Sequence, residues 1–127
     1  MKYLSIYKDL GKDLYSSDKL KEIIGISFNS QLIEEISIYT MNEFLENQID
    51  YLTADTIVNN LWDYWVTDEQ FPQNYDFPKV SLKIYEAFDS GEYSRPNEDL
   101  EDPVEKYTIP QLKEIQKIYI SDKDNIV

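Results

Sequence analysis

Apolar residues return at helical intervals through most of the chain. Leu32, Ile33, Ile36, Tyr39, Thr40 and Phe44 are spaced by threes and fours, which predicts a helix over about 30–47 with the glutamates on its polar face. A second helix is expected over 54–67. Thr53 can cap it, Asp55 suits the positive end of the helix dipole, and Ile57, Leu61, Tyr64 and Trp65 share a face that Val58 and Trp62 widen. A third begins near Asp76, takes Pro78 in its first turn, and runs through Val80, Ile84, Tyr85 and Phe88 to Gly91, placed as a left-handed C-terminal residue. The last helix carries the fullest start signal, with Thr108 as cap, Pro110 in the first turn and Gln111 at the capping-box position. Leu112, Ile115, Ile118 and Tyr119 would then face inward. Shorter helices are expected over Ser5–Tyr15 and Asp18–Ile24, parted near Ser16 and Ser17, with Gly11 weakening the first. Ile23–Phe28 is apolar and fits either a short strand or a helix. Tyr93–Tyr107 is polar, holds Pro96 and Pro103, and predicts a surface loop.

These elements give an all-α fold: one domain, residues 1–127, built as an antiparallel bundle of about four to five helices with an acidic loop before the last. A length of 127 residues suits a single core, and an apolar fraction of 42% that includes 14% aromatics is rich enough to fill it.

Charge changes the picture more than size does. Twenty-five acids face 12 bases, a formal net charge of −13. Such a surface repels phosphate backbones and anionic membranes and attracts basic proteins, so the expected partner is cationic, with neither nucleic acid nor membrane bound directly. Residues 22–78 hold eleven acids and no base, and Glu86–Glu105 holds eight acids relieved only by Arg95. The charged start of the chain, Met1–Asp9, lacks the apolar core of an export signal, and no run approaches the ~20 apolar residues of a membrane span, so a cytoplasmic location is expected.

The absence of both Cys and His removes disulfides, thiolate metal sites, the Ser-His-Asp triad and zincin sites. Glycine occurs only at 11, 25 and 91, too sparsely for a phosphate-binding loop. Asp89-Ser90-Gly91-Glu92 is a fragment of a calcium loop, short of its alternating ligands. Neighbouring acid pairs such as Glu34-Glu35 and Asp68-Glu69 do not face one another on a helix and read as solvated. No catalytic residue, metal or cofactor is expected. Trp62 and Trp65 have the spacing of core residues, although Trp is also favoured at binding hot spots. Tyr93 and Tyr107 bracket the acidic loop and are the favoured exposed aromatics.

The second half resembles the small helical immunity proteins of bacterial toxin systems, in particular the colicin D immunity-like family and its relatives in contact-dependent inhibition. The resemblance runs from about Leu32 to Tyr119. It rests on Leu61-Trp62-Asp63-Tyr64-Trp65, on Tyr75-Asp76-Phe77-Pro78, on Ile84-Tyr85-Glu86-Ala87-Phe88-Asp89, and on Lys106-Tyr107-Thr108-Ile109-Pro110-Gln111-Leu112-Lys113-Glu114-Ile115 after the acidic loop. It implies a helical bundle that binds a cognate toxin nuclease, many such targets being tRNA-cleaving domains, and blocks its basic cleft. The residues expected at that contact are Asp89, Glu92, Tyr93, Glu98, Asp99, Glu101, Asp102, Glu105 and Tyr107. The base-free face of 22–78 is the competing contact surface, and no oligomeric state follows from the sequence. Two other classes fit less well: an acidic nucleic-acid mimic directed at a DNA-binding defence enzyme, and a small carboxylate-dependent enzyme with a carboxyl raised by burial.

Overall fold

Short polar side chains open three of the helices. The Ser16 hydroxyl accepts from the Lys19 N–H at 3.3 Å, the Asn29 side-chain oxygen from Leu32 at 2.8 Å, and an Asp50 carboxylate oxygen from Thr53 at 2.8 Å. Each bond satisfies an N–H that the helix itself leaves unpaired, an effect of about 1 kcal/mol. They set the starts of α2 (Ser17–Ile23), α3 (Ser30–Leu45) and α4 (Tyr51–Thr67). With α1 (Leu4–Leu10), α5 (Lys79–Asp89) and α6 (Ile109–Ile126) they make the expected all-helical bundle, with six helices among the described residues where about four to five were expected. The computed structural model describes residues 2–25, 28–67, 77–92 and 102–126, without the side chains of 120–126. Among the described residues there is no strand, and no helix is long and apolar enough to cross a membrane.

Five residues link α3 to α4, and the two helices return past each other. Leu32, Ile33 and Ile36 from the first half of α3 share a cluster with Ile57, Leu61 and Tyr64 of α4. Met41, late in α3, joins Ala54 and Val58, early in α4. The first cluster is closed by Tyr3, Tyr7 and Leu10 around α1 and by Leu20, Ile24 and Phe28 around α2. The second is closed by Ile84, Ala87 and Phe88 of α5 and by Leu112 of α6. Full burial of a side chain such as Phe88 contributes about 2–3 kcal/mol relative to leaving it in water.

Several expected boundaries move, each for a local reason. The cap of α4 is Asp50, so Thr53 lies inside the first turn and the helix begins three residues before position 54. α1 stops at Gly11, where a side chain would crowd Thr53 and Ile57 of α4. The segment after it is held by Asn60, a fully buried α4 residue whose amide donates to the carbonyls of Leu10 (2.9 Å) and Asp13 (2.8 Å) and whose oxygen accepts from the Tyr15 N–H (3.1 Å). Pro78 precedes α5 as its N-cap residue, and Asp76 lies outside the described residues. Among the described residues the positive backbone angles belong to Gly25 (φ 50°) and Asn47 (φ 61°), so Gly91 is not left-handed.

The largest correction concerns the expected loop. Its end, Val104–Thr108, is a π-helical turn that runs straight into α6, and Asp102 starts it by accepting the Val104 N–H at 2.9 Å. Pro110 therefore sits within a continuous helix, where it lacks a donor and its ring needs room. The wider turn before it, in which the Ile109 N–H reaches back five residues to Val104, supplies that room. Thr108 does not cap α6, because its hydroxyl donates to the Ala87 carbonyl at 2.7 Å. Of the four α6 residues expected to face inward, Leu112 is buried, Ile115 and Tyr119 are half-buried, and Ile118 is 49% exposed.

Trp62 and Trp65 are half-buried and join an aromatic stack between α4 and the start of α5. Their rings lie 5.5 Å apart, and Trp62 stacks on Tyr85 at 5.1 Å with Phe77 edge-on at 5.1 Å. Packing is thus their visible role.

Candidate functional site

Tyr51, Asp55 and Asn59 recur every four residues along α4 and form one face, turned toward the C-terminal end of α5. Three side chains occupy the last carbonyls of α5. Tyr51 donates its hydroxyl to Phe88, Thr108 donates to Ala87, and Ser90 donates to Glu86 at 2.9 Å. Gly91 lies between the first two. A Cβ there would collide with the Thr108 hydroxyl and stand 3.1 Å from that of Tyr51, so close approach, and not backbone angle, requires glycine. The chain leaving Gly91 delivers Glu92 beside α4.

Asp55, Asp89 and Glu92 meet there. The Asn59 amide donates to Asp55 Oδ1 at 3.1 Å and to Glu92 Oε1 at 3.2 Å. Burial, its hydrogen bond with Glu92, and the charges of Glu92 and Asp89 push the Asp55 carboxyl up to about 8, with Asn59 partly opposing. Asp89 is raised as well, by its hydrogen bond with Glu92, then by burial and the charges of Glu92 and Glu86. The hydroxyl of Tyr51 is raised by burial and by Asp55, Glu92, Asp89 and Asp102 together. Tyr85 is raised by burial and then by the charges of Asp89, Asp63, Glu92 and Asp55.

Three carboxyls at the negative end of a helix dipole oppose one another and the dipole. Burial first, and this repulsion after it, raise Asp55 to about 8, and a cation arriving at this corner would relieve the repulsion and favour release of the proton. Among the described residues the ion pairs are Lys12–Asp9 at 3.2 Å and Lys19–Glu22 at 3.3 Å, both far along the chain from this corner. No group of three or more acidic side chains among them is arranged to hold a metal ion.

Of the nine expected contact residues, Asp89 and Glu92 are brought together. Asp102 acts on Tyr51 through its charge while its carboxylate caps the π-helical turn. Glu105 is exposed on that turn. Tyr107, expected to be exposed, is half-buried, with the Lys106 ammonium 5.6 Å from its ring centre. Tyr93, Glu98, Asp99 and Glu101 lie outside the described residues. Asp55, Asn59 and Tyr51 were not expected at the site. Their four-residue spacing is visible in the sequence, but Asp55 also fits the role of a helix-start acid, and its burial follows only from the docking of α5.

No family model, curated protein or solved structure matches the chain.

Proposed function

We propose that this protein is an immunity-type inhibitor acting in the cytoplasm, which binds a cognate toxin nuclease and occludes its cationic cleft with an acidic surface. The observation that carries the reading is the corner of Asp55, Asp89 and Glu92, where burial and the neighbouring acids raise one carboxyl to about 8. A nuclease must present Lys and Arg to its substrate, and those groups are the natural counter-charges for such a corner. Gathering the carboxyls at one helix end supports a local plug over a mimic of nucleic acid, which needs charges spaced along a face. Asp55 has the raised carboxyl of an acid–base catalyst, but it is already engaged by the Asn59 amide and by its hydrogen bond with Glu92, which favours binding over turnover.

Co-expression with the neighbouring reading frame tests the proposal. The partner is expected to be toxic alone and harmless alongside this chain; a partner harmless by itself, or one whose toxicity persists, refutes it. The paired substitution Asp89→Asn/Glu92→Gln is expected to weaken binding and flatten its salt dependence, with about 2–5 kcal/mol lost for a carboxylate fully paired with a partner Arg.

A further inference from the structure

α5 and α6 run side by side with a furrow between them that the acidic corner does not use. Two adjoining hollows of about 200 and 280 Å³ make it up. Lys83, Ile115 and Ile118 line both and so mark its middle. One end is basic, with Lys79 beyond Lys83; the other is acidic, with Glu86 on α5 and Glu114 on α6. Ile118, at the middle of the furrow, is a large apolar side chain left 49% exposed.

From this pattern we infer that the furrow is the contact surface for a second copy of the chain, forming a two-fold dimer. The argument is one of charge. Two molecules of net charge −13 repel over most of their surface, whereas the four ionic groups lining the furrow, two Lys and two Glu, sum to zero. Their order matters as much as their sum. A two-fold axis crossing the furrow at its middle reverses its direction, so Lys79 of each copy meets Glu86 of the other, while Lys83 and Glu114, nearer the middle, gather around the axis as equal numbers of opposite charges. The same operation covers Ile115 and Ile118 on both sides and stacks α5 and α6 of the two copies as a four-helix layer. The span from Lys79 to Glu86 is seven residues of helix, about 10 Å, so the interface is small and the dimer weak. Asp55 and Glu92 approach α5 from the α4 side, so the dimer leaves both acidic corners open.

Sedimentation of the full chain at about 1 mM, the range of a weak complex, tests the inference. Salt of about 0.15 M, where the Debye length is near 8 Å, screens the long-range repulsion. The mass is expected to rise with concentration from 15.1 kDa toward twice that value. Ile118→Asp should remain monomeric with an unchanged far-ultraviolet dichroism spectrum. Lys79→Glu/Lys83→Glu and Glu86→Lys/Glu114→Lys should each be monomeric alone, since each leaves both ends of the furrow with one sign, and should regain the dimer mass when mixed. A wild-type chain that stays at the monomer mass, an Ile118→Asp variant that still dimerises, or a mixture of two folded charge variants that remains monomeric overturns the inference. A monomeric result leaves the furrow to a different protein.

Discussion

The side-chain amide of Asn60 donates to the carbonyl of Leu10 at 2.9 Å, tying the end of α1 to the middle of α4 across fifty residues of sequence. Asn60 is fully buried, and its other bonds go to Asp13 and Tyr15. Asn60→Ala would strand two carbonyls and an N–H where water has little access. The expected loss is about 2–4 kcal/mol in urea unfolding, and Asn60→Leu should do no better, because volume does not replace the bonds.

Gly91 and Thr108 make a coupled pair. Gly91→Ala should cost about 1–3 kcal/mol through the collision with the Thr108 hydroxyl. Thr108→Ala should cost about 1–2 kcal/mol by freeing the Ala87 carbonyl. Combining them should cost less than the sum by about 1 kcal/mol, since the second change removes the atom that the first strikes, and a double-mutant cycle reads this directly.

The titration of Asp55 sets a pH dependence with a definite sign. Its carboxyl is raised from an ordinary 3.8 to about 8, so the folded state holds a proton that the unfolded chain has released. The resulting contribution is complete below pH 4 and is lost as pH rises through about 8. Asp50, lowered by its hydrogen bonds with Thr53, has the opposite sign and favours folding above its own range. Asp55→Asn should therefore match the wild type near pH 4 and exceed it at pH 9 by about 1 kcal/mol, a figure discounted for a half-buried group. Thermal melts at the two pH values check it.

Capping and charge separate at Asp102. Asp102→Ala should lose the bond to the Val104 N–H and about 1 kcal/mol of stability, while Asp102→Asn keeps the cap and loses only a few tenths. On the proposed function, where the partner feels charge, both variants should weaken its binding alike, as calorimetric titration would register.

Much of the helical layout was legible in the sequence because the stripes of α3 and α4 are regular. Leu32, Ile33 and Ile36, and Ile57 and Leu61, are buried as their spacing implies. Ends were harder to read. Thr108 and Pro110 carry a convincing start signal, yet Thr108 is spent on Ala87 and the proline is accommodated by a π-helical turn, a packing outcome that no local motif announces. Gly91 was identified correctly as special and for the wrong physical reason. At the site, Asp89 and Glu92 could be named from charge density, but Asp55 and Asn59 join them only through the approach of α5 to α4.

α3 and α4 thread both hydrophobic clusters, whereas α1 and α2 close the first and α5 and α6 the second, with Ile49 packed against the two. The pair therefore acts as a spine whose amides would be the last to exchange with deuterated solvent. Exchange is expected to begin in the flanking helices of each cluster, and a segment-by-segment measurement would read the order.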